Sequence, residues 1–382
     1  MISILLQPSK ASLNANKMAS KIETLIRTVR GLTEDRRFDS LEDPHGLLKF
    51  SEQKLRTYRE NPYLSDLDQP CQLIGVKDGV VVAGRNSYPS RIVAQGKSYN
   101  IRISGSVFVD PQARASLMAI SMLNKALKFE DGSLNMNCML SIQNQKFYRL
   151  YGSSMFELAE FDAGGRWNKY YKPGNPSGWK KYAAKVLNFA VILLNKIFDG
   201  KRWCGLPDWR VEEKSISDSD FLKNASDLVA SDVHSYREDI TADWMKWTLE
   251  NDFLAVGNHG RMFGVYDGEN FVGFALTRRN PKSGKSKIYE WQLTKEYEDK
   301  EAEMLSLVAK ELFKVDSRVG VQVGTDSVNT IASLAKRFPR LISNYVVVTI
   351  AKDSPFNDFA GIKESRNWRL RPGMGDAAHW CA

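Results

Sequence analysis

The chain has 382 residues, 43% of them hydrophobic and 26% charged, with a formal net charge of +9; these totals exclude a largely disordered chain and suit two domains of ordinary size. Its four cysteines, Cys71, Cys138, Cys204 and Cys381, form no CxxC pair, so neither a disulfide framework nor a cysteine zinc site is expected. The opening MISILLQPSKAS has only a short apolar stretch with no basic residue before it, and no apolar run nears the ~20 residues of a membrane span, so the expectation is a cytoplasmic chain.

Residues 16–59 read as helical, with Ile22, Leu25, Ile26 and Val29 on one face of MASKIETLIRTVRGL. A loop rich in Asp and Pro follows, from Asn61 to Pro70. The period then becomes that of strands. CQLIGVKDGVVVAG carries Lys77-Asp78-Gly79 as a hairpin signal, and SRIVAQGKSYNIRISGSVFVD adds two more runs around Gln95-Gly96-Lys97. Pro111 ends the last strand. ARASLMAISMLNKALKF is a helix with Leu117, Ile120, Leu123 and Leu127 on its buried side. A strand (LNMNCMLSI), a helix (QKFYRLYG) and a strand (SMFELAEFD) complete the first half.

The Gly/Pro/Asn-rich stretch from Gly164 to Pro176 is a break, and Trp179 to Phe198 reads as one long helix closed by Gly200. Nine basic residues between Arg166 and Trp203 face Asp199 alone, a local excess of nine minus one, or +8. Such a segment is a connector, either buried between domains or presenting a solvated basic face. Its charge and its two flanking tryptophans also suit RNA, a CoA phosphate or an anionic membrane, peripheral to the inner face.

The second half repeats the order of the first. Glu212–Arg237 and Ala242–Asp252 read as helical, and MFGVYDGENFVGFALTRR is a hairpin turning at Asp267-Gly268. SKIYEWQLTK is a strand, DKEAEMLSLVAKELFKV a helix, VGVQVGT a strand and VNTIASLAKRF a helix, before strands at NYVVVTIA and NWRLRPG. Two such passes imply an internal duplication of about 170 residues. The domains are then 1–165, a basic helical connector 166–210, and 211–382.

The segment from Val107 to Ala119 is a strand, a tight turn and an amphipathic helix. Successive N–H groups and the helix dipole converge at such a turn, which suits a pyrophosphate, and Arg114 adds a charged donor. This segment resembles the acyl-CoA-binding signature of the GNAT acyltransferases, V-x-P-x-x-R-G-x-G-[IL]-[GA]. Val109, Pro111, Arg114, Met118 and Ala119 fall on matching or near-matching positions, and Gln112 opens the family's [QR]-x-x-G-x-[GA] loop. Ala115 and Leu117 replace its two glycines, and Leu117 would crowd a pyrophosphate lying on the backbone. The resemblance continues at Tyr148-Arg-Leu-Tyr-Gly152, spaced as the family's Y-x-x-x-G-F with Ser153 in the place of Phe.

The resemblance implies an α/β fold of α+β type. Two GNAT-like modules, each a mixed, largely antiparallel sheet flanked by helices, would be joined by the long helix. It implies acetyl-CoA or another acyl-CoA as co-substrate, held by Val107, Val109, Gln112, Arg114, Ala115, Ser116, Leu117, Met118 and Ala119. Tyr148 would return a proton to the leaving thiolate. No carboxylate stands in the strand from Tyr99 to Val109, so a base would be reached through water, with Glu157 the candidate. In the second half the acidic junction Gln292–Lys300 would repel a pyrophosphate. The stretches Asp243–Trp247 and Trp368–Asp376 resemble the second module of tandem GNAT proteins from bacterial surface-polysaccharide loci.

The expected function is N-acyl transfer from acyl-CoA to the amine of an amino sugar or amino-acid derivative. The alternatives are a non-catalytic pair of GNAT-like binding modules and a Fem-like transferase using aminoacyl-tRNA. His45, His234, His259 and His379 lack metal-like spacing and read as surface or packing residues, and no metal is expected.

Overall fold

The computed structural model describes residues 22–116, 118–129, 133–138, 142–162, 208–251, 259–280, 284–316, 318–338, 340 and 344–371. The long helix expected from Trp179 to Phe198, and all of the expected connector 166–210 except its last three residues, lie outside the described residues.

The first half holds strands β1 (Glu23–Thr28), β2 (Pro70–Lys77), β3 (Val80–Ala94), β4 (Lys97–Val109), β5 (Leu134–Cys138) and β6 (Ser154–Asp162). The second holds β7 (Trp209–Lys214), β8 (Tyr236–Glu238), β9 (His259–Asp267), β10 (Asn270–Asn280), β11 (Lys285–Leu293), β12 (Arg318–Gly324) and β13 (Asn344–Ile350). The helices are α1 (Gly31–Glu34), α2 (Glu52–Arg59), α3 (Met118–Ala126), α4 (Ile142–Leu150), α5 (Ser219–Ala230), α6 (Ala242–Glu250), α7 (Glu301–Phe313) and α8 (Val328–Arg337). The turns form where the sequence places them. Asp78 and Gly79 take φ values of 51° and 81°, and Gln95 and Gly96 take 50° and 79°, the pair of positive angles that a two-residue hairpin turn requires. Helices α2, α5 and α6 start on Ser51, Asp218 and Thr241, whose side chains each accept a backbone N–H of the first turn.

All of these strands belong to one sheet, in the order β1-β2-β3-β4-β5-β13-β6-β12-β11-β10-β9-β7, with β8 on β3. The halves interlock. β13 lies between β5 and β6, and β6 in turn pairs with β12. The pairing is antiparallel except for β4 with β5 and β11 with β12. One apolar core spans both halves on one face, where Ile92, Ile103 and Leu158 meet Trp244, Phe274 and Trp368. Trp247 Nε1 donates to the carbonyl of Thr57 at 3.1 Å, tying α6 to α2. The opposite face packs α7 and α8 in the second half, around Leu305 and Leu334, and α3 in the first half, around Met118 and Met122.

Three sequence expectations are corrected. Glu23–Thr28 is an edge strand on β2, not a helix; its apolar spacing fits either period, and the β-branched Thr24, Ile26 and Thr28 favour extended backbone. Trp209–Lys214, part of it read as helix, is the edge strand on β9. Trp368–Arg371 forms no ladder, only a bridge between Trp368 and Tyr236.

Candidate functional site

β4 and β5 pair at only two positions, Arg102 with Asn135 and Ile103 with Met136. Beyond Ile103, β4 carries an extra residue at Gly105–Ser106, because Arg85 faces Val107 while Ser87 faces Ser104. Such a bulge bends a strand. Here it turns β4 away from β5, and the two strands form a fork. Val107 and Val109 line its β4 arm, half-buried. A 3-10 turn, Pro111–Ser116, and then α3 follow.

The predicted donor-binding residues therefore share one strand-turn-helix run at the mouth of this fork. Arg114, Ala115 and Ser116 belong to the turn, and Leu117 lies outside the described residues. Met118 is turned inward, against Leu73 and Ala83 and beside the bare Cα of Gly75. Ala119 is half-buried. Asp110, between strand and turn, accepts from the Gln112 amide at 2.7 Å and meets His45 Nε2 at 2.7 Å. The His45 ring lies on Phe108, with centroids 4.6 Å apart. Sequence reasoning missed this pair, because its partners are 65 residues apart and no local pattern joins them.

Tyr148 reaches the β5 arm. Its side chain is 2% exposed and its hydroxyl accepts from Asn137 Nδ2 at 2.8 Å. Glu157 is not brought to the fork: it stands on β6, with β5 and β13 between it and β4, and pairs with Arg340 at 3.2 Å. Arg85, on β3 and 1% exposed, donates to Ser104 Oγ at 2.5 Å and Asn135 Oδ1 at 3.1 Å, and Ser104 also donates to Asn135 at 2.7 Å. Among the described residues this buried guanidinium meets no carboxylate.

The second half builds the same device. β11 and β12 pair from Lys285/Arg318 to Ile288/Val321 and then part, with an irregularity in β11 at Tyr289. This fork is filled by the chain itself. Arg369, 1% exposed, donates to the Trp291 carbonyl at 2.7 Å and Gln292 Oε1 at 2.9 Å, and pairs with Glu290. Arg371 lies over the Trp291 ring and pairs with Glu301 at 3.1 Å. Asp232 closes the cluster, with His234 Nδ1 at 2.6 Å and Arg369 Nε at 3.4 Å. Burial opposes its charge, yet the hydrogen bond from His234 and the Arg369 charge hold its carboxyl well below the usual range.

Among the described residues no group of three His, Cys, Asp or Glu could hold a metal ion, and no helix is long and apolar enough to cross a membrane.

No protein-family model and no curated protein matches the sequence. Solved structures do match its fold. A conserved protein of unknown function from Enterococcus faecalis V583, described as a probable N-acyltransferase, superposes with a TM-score of 0.54 at 15% identity, covering 89% of this chain and 75% of that one. Saccharomyces cerevisiae N-myristoyltransferase with bound myristoyl-CoA gives 0.50 at 12% identity, covering 95% and 88%. A tandem GNAT protein from the clavulanic acid biosynthesis pathway gives 0.50 at 9% identity, covering 87% of this chain and 100% of that chain. At these identities the likeness is one of architecture, and with the two forks and the exchanged strands it makes the chain a tandem GNAT fold.

Proposed function

We propose that the chain is an acyl-CoA-dependent N-acyltransferase whose donor lies in the first fork. The observation that carries this reading is the two-pair contact of β4 with β5, beyond which β4 runs on to Val109. An acyl-pantetheine arm is an extended chain bearing amides, and a parted strand can pair with it as with another strand. A backbone N–H between Val107 and Val109 would polarise the thioester carbonyl. The buried charge of Arg85 beneath would favour the negative charge that develops there. Gln112, Arg114 and the N–H groups from Ala115 to Ala119 would hold the pyrophosphate. Tyr148 would protonate the departing thiolate. Glu157 would reach an amine there only through water.

The proposed acceptor is the amine of an amino sugar, as in surface-polysaccharide assembly, or of an amino-acid derivative, in the cytoplasm. A non-catalytic binding protein is the second reading, favoured by a second fork that the chain occupies with its own Trp368–Arg371. RNA or membrane contact would rest on residues 166–203, outside the described residues.

Calorimetric titration with acetyl-CoA and myristoyl-CoA, beside an Arg114→Glu variant, tests the reading. Saturable binding at a single site per chain, lost in the variant, is expected. Titrations that show no binding of any acyl-CoA would overturn it.

A further inference from the structure

A cavity of about 340 Å³ lies at the mouth of the second fork, against the segment that fills it. Its place in the sheet separates it from the first fork. Following the strand directions from β4 through β5, β13, β6 and β12, β11 runs antiparallel to β4. The two forks therefore open at opposite edges of the sheet, and a ligand in this cavity does not share the first fork's mouth.

The cavity is lined by charges of both signs, of which Asp232 is paired with Arg369 and Glu301 with Arg371. Its lining includes His234 and Arg366, on segments brought together where Tyr236 bridges to Trp368. Glu364 holds the Arg366 guanidinium at 2.6 Å, and Asp232 fixes the His234 ring through Nδ1. The lining also includes Glu298, from the turn before α7, and Asp326, from the turn before α8. Both are exposed, and among the described residues neither forms a salt bridge. The turn bearing Asp326 is pinned by Ser327 N on the Gly324 carbonyl at 3.0 Å and by Thr325 N on the Glu157 carbonyl at 3.1 Å. Leu293 and Leu370 add apolar lining.

We propose that this cavity binds a free α-amino acid as its zwitterion. Its carboxylate lies on Arg366, its ammonium on Asp326 and Glu298, and its side chain against Leu293 and Leu370. A site of this volume is within the range of small-ligand pockets, and a dipolar ligand satisfies lining groups of both signs where a simple anion or cation would satisfy one sign and oppose the other. The proposal rests on the cavity and not on the acyl-transfer reading.

The test is thermal unfolding of the full chain with each common amino acid, and then with the primary amide and the N-acetyl form of whichever shifts the midpoint most. The expected result is a concentration-dependent rise with the free amino acid and none with either derivative. Charge-assisted contacts of this kind make Asp326→Asn and Arg366→Gln each weaken the interaction about tenfold or more. Both side chains are exposed, so both variants keep the fold. An acetyl-CoA titration of Asp326→Asn should match the unaltered chain, which separates this site from the donor fork. No shift with any amino acid, an equal shift with the amide or N-acetyl form, or full affinity in both variants would each overturn the proposal.

Discussion

Leu370 sits where a side chain on Gly324 would go: a Cβ on Gly324 would lie 3.0 Å from Leu370 Cβ and 3.4 Å from its Cδ1. The strand end and the filling segment are thus fitted to each other. Leu370 has little room to yield, because Arg369 and Arg371 on either side of it are anchored to Trp291. Gly324→Ala should therefore destabilise the chain by about 1–2 kcal/mol, overpacking outweighing the entropy gained by removing a glycine. Urea unfolding checks this. If the fit is the cause, Gly324→Ala should cost less in a Leu370→Ala background.

The Arg369–Glu290 pair is buried on both sides, with side chains 1% and 0% exposed. Removing one partner strands the other charge, so Arg369→Met should cost about 3–5 kcal/mol. Arg369→Met/Glu290→Leu should recover part of that loss, since Glu290 no longer remains to be desolvated, while Asp232 keeps only His234 as its partner. A double-mutant cycle in denaturant, with Glu290→Leu as the second single variant, measures the coupling. Independent, additive losses would remove the pair from the account of how the second fork is closed.

Two buried carboxyls push pH dependence in opposite directions. Glu238 is 1% exposed, and burial, with the nearby charge of Glu290, raises its pKa well above the ordinary value. Its folded form holds a proton that the unfolded chain gives up, so this contribution to stability erodes as pH rises past about 4.3. Glu238→Gln should gain stability over the unaltered chain at about pH 8, with the difference shrinking towards about pH 4. Asp232 is depressed, so its contribution is present at neutral pH and is lost as pH falls below the ordinary carboxyl range. Asp232→Asn should be less stable than the unaltered chain at neutral pH and approach it in acid. Chemical unfolding midpoints across pH read both effects.

Much of this architecture is legible in the sequence because it is local. Asp78-Gly79 and Gln95-Gly96 announce their hairpins through backbone angles that few other residues tolerate. The run from Val107 to Ala119 likewise reads as strand, turn and helix without its neighbours. What stays hidden depends on distant partners. Glu23–Thr28 becomes a strand only because β2 offers it an edge, and no local pattern places β13 between β5 and β6. The His45–Asp110 and Asp232–Arg369 contacts join residues 65 and 137 positions apart, the second figure being 369 minus 232. The filling of the second fork is invisible for the same reason, since Trp368-Arg-Leu-Arg reads as a strand until the gap it enters is seen.

Tyr148 and Asn137 give the sharpest test of the proposed chemistry. The phenol packs among Leu123, Leu127 and Val347, and its oxygen takes the Asn137 amide proton at 2.8 Å. An oxygen that accepts from Asn137 keeps its own proton to give, which suits a donor to the departing thiolate. Tyr148→Phe preserves the ring and its packing, and should cost about 1 kcal/mol or less beyond the unpaired Asn137 amide. If the phenol is the acid, kcat for acyl transfer should fall about 10²-fold or more while KM for the acyl-CoA changes little. If kcat is unchanged in a stable Tyr148→Phe variant, the residue is part of the packing alone and another group, or water, protonates the thiolate.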